Sequence, residues 1–137
     1  MTLPAGCDVV VIGGGPGGSL AATYLAQAGY HAVLLEKQHH PRYAVGESLI
    51  PDFWKYCAEA GVAEAIAAEQ FVRKAGGIVE WNGQRRQIAF ADYGYDQPAL
   101  HVERDRFDQF LFENARHKGA QLFEGVLVTR VDFDDPQ

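Results

Sequence analysis

A short predicted strand, Cys7–Ile12, leads straight into Gly13-Gly14-Gly15-Pro16-Gly17-Gly18, and seventeen residues separate Gly18 from an acidic residue, Glu36. That spacing predicts a dinucleotide site. Gly13 permits a tight turn, Gly15 lets backbone approach a pyrophosphate with no Cβ in the way, and Gly18 lets a following helix press on the strand. Pro16 and Gly17 sit where such a helix would begin, with its free N–H groups and positive dipole end aimed at the phosphates. Glu36 is then placed to accept hydrogen bonds from ribose hydroxyls, and its charge would repel a 2′-phosphate, which argues against NADP.

Glycine clusters are common in loops, so the context has to agree. Leu20, Ala21, Tyr24, Leu25 and Ala28 recur at helical spacing, Gly29 is a helix terminator, and Tyr30 to Leu35 reads as a second buried strand. Together these make one βαβ unit, right-handed by the general rule for such crossovers.

With 137 residues, 47% hydrophobic and 22% charged, the chain has ordinary globular composition at about the size of one domain. A net charge of −6 leaves no basic stripe, which argues against nucleic acid or an anionic membrane as partner. Neither a signal peptide nor a transmembrane helix is legible, so a cytoplasmic location is the default expectation. Cys7 and Cys57 form no C-x-x-C pair, and Cys7 reads as an inert residue of the first strand.

Lys37 to Val45 shows no apolar period and reads as an extended loop. His39 and His40 lie in it, but no further ligand stands at zinc-site spacing, so they read as solvated loop histidines and no metal is assigned. A helix is expected from Pro51 or Asp52 to Gly61, and a second from Val62 to about Gln70. Ile78–Trp81 and Arg85–Phe90 flank Asn82-Gly83, the strongest short hairpin signal. Ala99–Val102 reads as a strand, and Arg104–Lys118 as a helix with Phe107, Phe110 and Leu111 on one stripe, ended by Gly119. Ala120–Phe123 and Val126–Phe133 read as strands, followed by a turn signal at 134–137. A final strand without a partner would leave an unpaired apolar edge, so the chain reads as an N-terminal fragment; the alternative is an edge strand of a compact domain.

The glycine loop, the gap to Glu36 and the downstream Val102-Glu103-Arg104-Asp105-Arg106-Phe107-Asp108 together resemble the N-terminal part of FAD-dependent monooxygenases of the p-hydroxybenzoate hydroxylase fold. The resemblance covers nearly the whole chain. It implies an α/β fold, a Rossmann-like βαβ FAD-binding domain with a parallel sheet plus a β-hairpin, in which residues 1–137 are the N-terminal part and the hairpin at about 78–90 lies on the substrate side. It also implies FAD as cofactor, with Arg104 near the start of a helix contacting it and Arg42 lying near it; either guanidinium can pair bidentately with a pyrophosphate. The cofactor-contacting set is thus Gly13, Gly15, Pro16, Gly17, Gly18, Glu36, Lys37, Arg42, Gly46 and Arg104.

Tyr43-Ala44-Val45-Gly46-Glu47-Ser48-Leu49-Ile50-Pro51 is similar to the Gly-Glu-Ser segment of flavin-dependent halogenases, chiefly those acting on phenolic or pyrrolic substrates. There the segment lies against the flavin side of the cofactor, so Glu47 and Ser48 become candidate catalytic residues; from spacing alone, Ser48 and Asp52 are equally good helix caps. Lys74, ahead of a run ending at Trp81, looks like the active-site lysine of that family, which handles hypohalous acid made from halide. The other reading of Arg73-Lys74 is an exposed basic loop. The resemblance implies a halogenase using reduced flavin, dioxygen and halide on a small aromatic substrate, free or tethered to a carrier protein, with a separate flavin reductase. The alternatives are an aromatic hydroxylase or reductase of the same fold, in which Lys74 is a bystander, and a nucleotide-binding module without activity.

Overall fold

The computed structural model describes residues 2–133, so the turn expected at 134–137 lies outside the described residues. Three parallel strands form the main sheet: β1 (Val9–Ile12), β2 (Ala32–Glu36) and β7 (Gln121–Glu124), in the order β1-β2-β7. Val9 pairs with Ala32 and Ile12 with Leu35, while Val33 pairs with Gln121 and Glu36 with Glu124. β2 is therefore central, and its near-continuous apolar run fits a strand with a neighbour on either side. Both connections are crossovers. α1 (Pro16–Gln27) joins β1 to β2, and α4 (Arg104–His117) precedes β7 and packs on α1.

The face that α1 buries is Ser19, Ala22 and Thr23, not the larger residues whose spacing suggested it. Leu20 and Tyr24 instead flank a neighbouring core, Leu25 flanks the core beneath the sheet, and Ala21 and Ala28 are exposed. The cause is distance: a helix pressed against its strand through Gly18 has room beneath it only for small side chains. On α4 the stripe includes Phe107 and Leu111 as expected, but Phe112 and Ala115 are fully buried where Phe110 is only half-buried. Phe112, Leu34, Ala22 and Leu122 form the core between sheet and helices.

A second core lies under α2 (Phe53–Glu59) and α3 (Ala63–Ala68), where Cys57, Ile66, Phe71, Leu100, Val102, Phe107 and Leu111 meet. Burial pushes the Cys57 thiol up to about 11, as suits an inert core residue. Cys7 precedes β1 rather than lying in it.

β4 (Gly76–Trp81) and β5 (Gln84–Ala89) form the expected hairpin, with Trp81 opposite Gln84 and positive φ at both Asn82 (50°) and Gly83 (70°). A 3₁₀ turn (Phe90–Tyr93) follows it. β3 (Val72–Lys74) pairs antiparallel with β6 (Ala99–His101), which replaces the basic loop reading of Arg73-Lys74. The strand expected over Val126–Phe133 is not formed. Val126 N–H reaches Glu36 C=O at 2.9 Å, but beyond it Leu127, Val131 and Phe133 are exposed and no strand pairs with them among the described residues. A β-prone run without a neighbour to satisfy its backbone has nothing to hold it extended.

Candidate functional site

At the end of β1 the chain turns through Gly13, whose φ of +101° lies in the region that favours glycine. Gly18 is required by contact: a Cβ there would stand 1.9 Å from the Gly13 carbonyl oxygen. Gly15 is the N-cap of α1 and Pro16 its first residue, and no side chain caps this end. The Ser19 amide bonds back to the Gly15 carbonyl at 2.9 Å, which leaves the Gly17 and Gly18 amides without intrahelical partners. A Cβ at Gly13 or Gly17 would meet nothing within 4 Å, so the mouth of the loop is open.

Glu36, at the end of β2, is only 3% exposed. Its Oε2 accepts from the Gly14 amide at 2.6 Å and its Oε1 from the Gln38 amide at 2.9 Å, with Arg42 Nη2 at 3.7 Å. Burial opposes ionisation of this carboxyl, yet the two amide hydrogen bonds, with Arg42 and His40 nearby, outweigh it and hold it below the usual carboxylate range. Those bonds occupy part of its accepting capacity of about four lone-pair sites.

From Glu36 a line of alternating charges runs across the domain. Arg42 Nη1 donates to Asp108 Oδ2 at 3.0 Å, and Asp108, fully buried on α4, also accepts from Arg104 Nε at 2.7 Å and Nη2 at 2.9 Å. Arg104 Nη1 then donates to the carbonyls of Val45 at 2.6 Å and Gly46 at 3.3 Å. The hydrogen bonds to Asp108 raise the Arg104 pKa further, against its partial burial. Arg104 is thus a clamp between α4 and the 45–46 turn. Arg42 Nε is buried with no hydrogen-bond partner among the described residues.

Asp108 is the residue that pattern reading passed over as part of the site, although a signal was present: it is a carboxylate four residues after Arg104 on the buried side of an amphipathic helix. His40 is a correction. Far from being solvated, its side chain is 2% exposed, stacked on Phe112 with ring centroids 4.3 Å apart. Its Nε2 lies 3.0 Å from the Gly14 carbonyl and its Nδ1 3.1 Å from Glu124 Oε1. A partner 84 residues away leaves no local trace in sequence. His39 and Lys37 are exposed.

Gly46 has φ +105°, and a Cβ there would stand 2.9 Å from Arg104 Nη1, so the turn requires glycine on both counts. Its amide donates to Glu47 Oε2 at 3.0 Å. Backbone hydrogen bonds from the Glu47 and Gly46 amides hold that carboxyl below the usual range, helped by His101 and Arg104. Residues 47–49 then run along β6: Val102 N–H donates to Glu47 C=O and Leu49 N–H to Leu100 C=O, both at 2.9 Å, with Ser48 opposite His101. β3 lies on the other edge of β6. From there Lys74 reaches back, its Nζ donating to Ser48 Oγ at 2.5 Å and to the Leu49 carbonyl at 3.0 Å. Ser48 is therefore a partner of Lys74, not a helix cap; Asp52 occupies the N-cap position of α2 without a capping side-chain bond. Gly46, Glu47, Ser48 and Lys74 form one continuous piece, tied to the glycine loop through Arg104, Asp108 and Arg42.

The tryptophan halogenase family profile matches residues 8–97. A tryptophan 2-halogenase of Chondromyces crocatus is 41% identical over 98% of this chain and 26% of its own length, and a flavin-dependent halogenase of Aspergillus carbonarius is 38% identical over 98% of this chain and 28% of its own. The chain thus spans about a quarter of the length of these relatives. Among solved structures, the myxobacterial chondrochloren halogenase superposes with a TM-score of 0.80 at 35% identity, over 89% of this chain and 29% of that one. A flavoprotein/dehydrogenase of Cytophaga hutchinsonii superposes with a TM-score of 0.82 at 32% identity, over 93% of this chain and 32% of that one. With the family profile covering most of the chain, including the glycine loop, the Gly-Glu-Ser segment and Lys74, the protein belongs to the tryptophan halogenase family.

Proposed function

We propose that this chain provides the ADP-binding cradle and the halogen-handling amine of a flavin-dependent halogenase that uses reduced flavin, dioxygen and halide on a small aromatic substrate, free or carrier-tethered. The observation that carries the reading is the placement of the Lys74 amine on Ser48 and Leu49, at the far end of a turn that Arg104 anchors to the buried network beside the glycine loop. An amine so placed suits a halogenase, in which it would hold the oxidised halogen; in a hydroxylase or reductase of the same fold it would be a bystander.

The residues present fit FAD. Among the described residues the Gly17 and Gly18 amides lack partners, a Cβ at Gly13 or Gly17 would meet nothing within 4 Å, and Arg42, whose Nη2 lies beside Gly15, has a buried Nε that a phosphate oxygen would satisfy. Gly13, Gly15, Pro16, Gly17 and Gly18 would hold the pyrophosphate, Glu36 the ribose, and Arg42 the adjoining charge. Lys37 is exposed at the rim, while Gly46 and Arg104 shape the turn toward the flavin side. Bound FAD, once reduced, would supply the two-electron oxidation of halide by dioxygen, with reducing equivalents from a separate reductase.

This chain's own residues then hold what is produced. The Lys74 ammonium donates a hydrogen bond to the oxygen of hypohalous acid and so makes its halogen more electrophilic toward an aromatic carbon. Glu47, kept ionised by the Gly46 turn, precedes Ser48 on the same segment and is read as the carboxylate that takes up the proton released from the ring. The exposed hairpin β4–β5, which starts two residues after Lys74, is read as the substrate-facing edge.

The reading is tested on the intact enzyme by Lys74→Ala. Aromatic halogenation should be lost while flavin reoxidation by dioxygen continues; retained halogenation would remove Lys74 from the chemistry and favour the hydroxylase or reductase reading, for which the superposed flavoprotein/dehydrogenase is a precedent of fold.

A further inference from the structure

The register of the small sheet around β6 places a second and a third residue in charge of the Lys74 amine. Lys74 lies directly opposite Ala99, and directly opposed residues of an antiparallel pair share one face. Val72 lies opposite His101, and so, on the other edge, does Ser48. With side chains alternating at period two, Lys74, Ala99, His101 and Ser48 all stand on the same face. To reach Ser48 Oγ, the Lys74 side chain crosses β6 diagonally over Ala99, which is fully buried. A methyl group at that position is what leaves room for the stem. An ammonium has three N–H donors; Ser48 Oγ and the Leu49 carbonyl take two, and one remains.

We infer that Ser48 and Ala99 are positioning residues: the Ser48 hydroxyl and the small side chain at 99 fix the Lys74 ammonium so that a single N–H is presented to the incoming oxidised halogen. This rests on Lys74 being the halogen-handling amine, but the positioning itself can be read without activity. The intact protein and its Ser48→Ala, Ser48→Thr and Ala99→Val variants would be treated with limiting acetylating reagent, and acetylation at each lysine followed by peptide mass spectrometry, with exposed Lys37 and Lys118 as internal references.

Ser48→Ala should raise the relative rate at Lys74 roughly tenfold, the effect of losing one hydrogen bond from a charged donor. Ser48→Thr, which keeps the hydroxyl, should match the parent, and Ala99→Val should behave like Ser48→Ala because a branched side chain blocks the crossing. In parallel, halogenated product per flavin oxidised should fall in Ser48→Ala and persist in Ser48→Thr. An unchanged Lys74 rate in Ser48→Ala, or equal rates in the Ala and Thr variants, overturns the inference; if Ala99→Val does not fold, the Ser48 pair decides alone. Loss of halogenation in Lys74→Ala alongside an unmoved Ser48→Ala sinks this inference only, whereas retained halogenation in Lys74→Ala sinks the reading beneath it.

Discussion

Around the glycine loop Glu36, Arg42 and Asp108 pair with one another and are largely buried, while around Lys74 the same fold leaves Ser48, Val72 and Arg73 exposed at strand edges. Glu36, Arg42, Asp108 and Arg104 alternate in sign through the interior, and His40 is packed between the Gly14 carbonyl and Glu124. The hairpin after Lys74 shows the opposite character: Ile78, Val79 and Trp81 are all exposed, and among the described residues the two strands pair only with each other. In the proposed function the difference separates two tasks. Binding a dinucleotide calls for donors and charges fixed in advance, which burial and mutual pairing provide. Handling a reactive halogen and admitting a substrate calls for an amine at an open edge, held by two hydrogen bonds rather than by a core.

The sharpest way to break that comparison is to remove its hub. Asp108→Ala leaves two guanidiniums buried without their common partner, and the cost should be about 3–5 kcal/mol, read as a lower midpoint in urea. A midpoint shifted no more than by a surface substitution would mean that the network is not what orders this end. Gly18→Ala comes next. Its Cβ would collide with the Gly13 carbonyl, so α1 must move off β1 at a cost of up to about 3 kcal/mol, together with loss of flavin binding. At the other end Trp81→Ala should change stability by less than about 0.5 kcal/mol, since the side chain is 76% exposed. A larger loss would show that the hairpin is packed in the intact enzyme, and would make the contrast one of assembly rather than of design.

How much of this could be read in the sequence follows the range of the interactions involved. The βαβ unit was legible because strand, glycine loop, helix and Glu36 are consecutive, and the hairpin because Asn82-Gly83 carries its own backbone geometry. What escaped depends on distant partners. His40 stands in a stretch with no apolar period and is buried by Phe112 and Glu124, both from the last third of the chain. β3 is three residues long, too short to show alternation, and exists because β6 offers an edge. The run from Val126 to Phe133 erred in the other direction: strand propensity was present, but among the described residues no edge is there to meet it. In the site, Lys74 and Ser48 were each legible as candidates, whereas their direct contact required the register of β6.

The most direct measurement is the FAD dissociation constant of the intact enzyme compared with those of Glu36→Ala and Lys74→Ala under the same conditions. Glu36→Ala should weaken binding at least ~tenfold, about 1.4 kcal/mol, because the carboxylate orders the Gly14 amide and, in the proposed function, holds the ribose, while Lys74→Ala should leave the constant unchanged. Equal constants for the parent and Glu36→Ala, or equal weakening in both variants, would contradict the division between a preformed cradle and a separate amine.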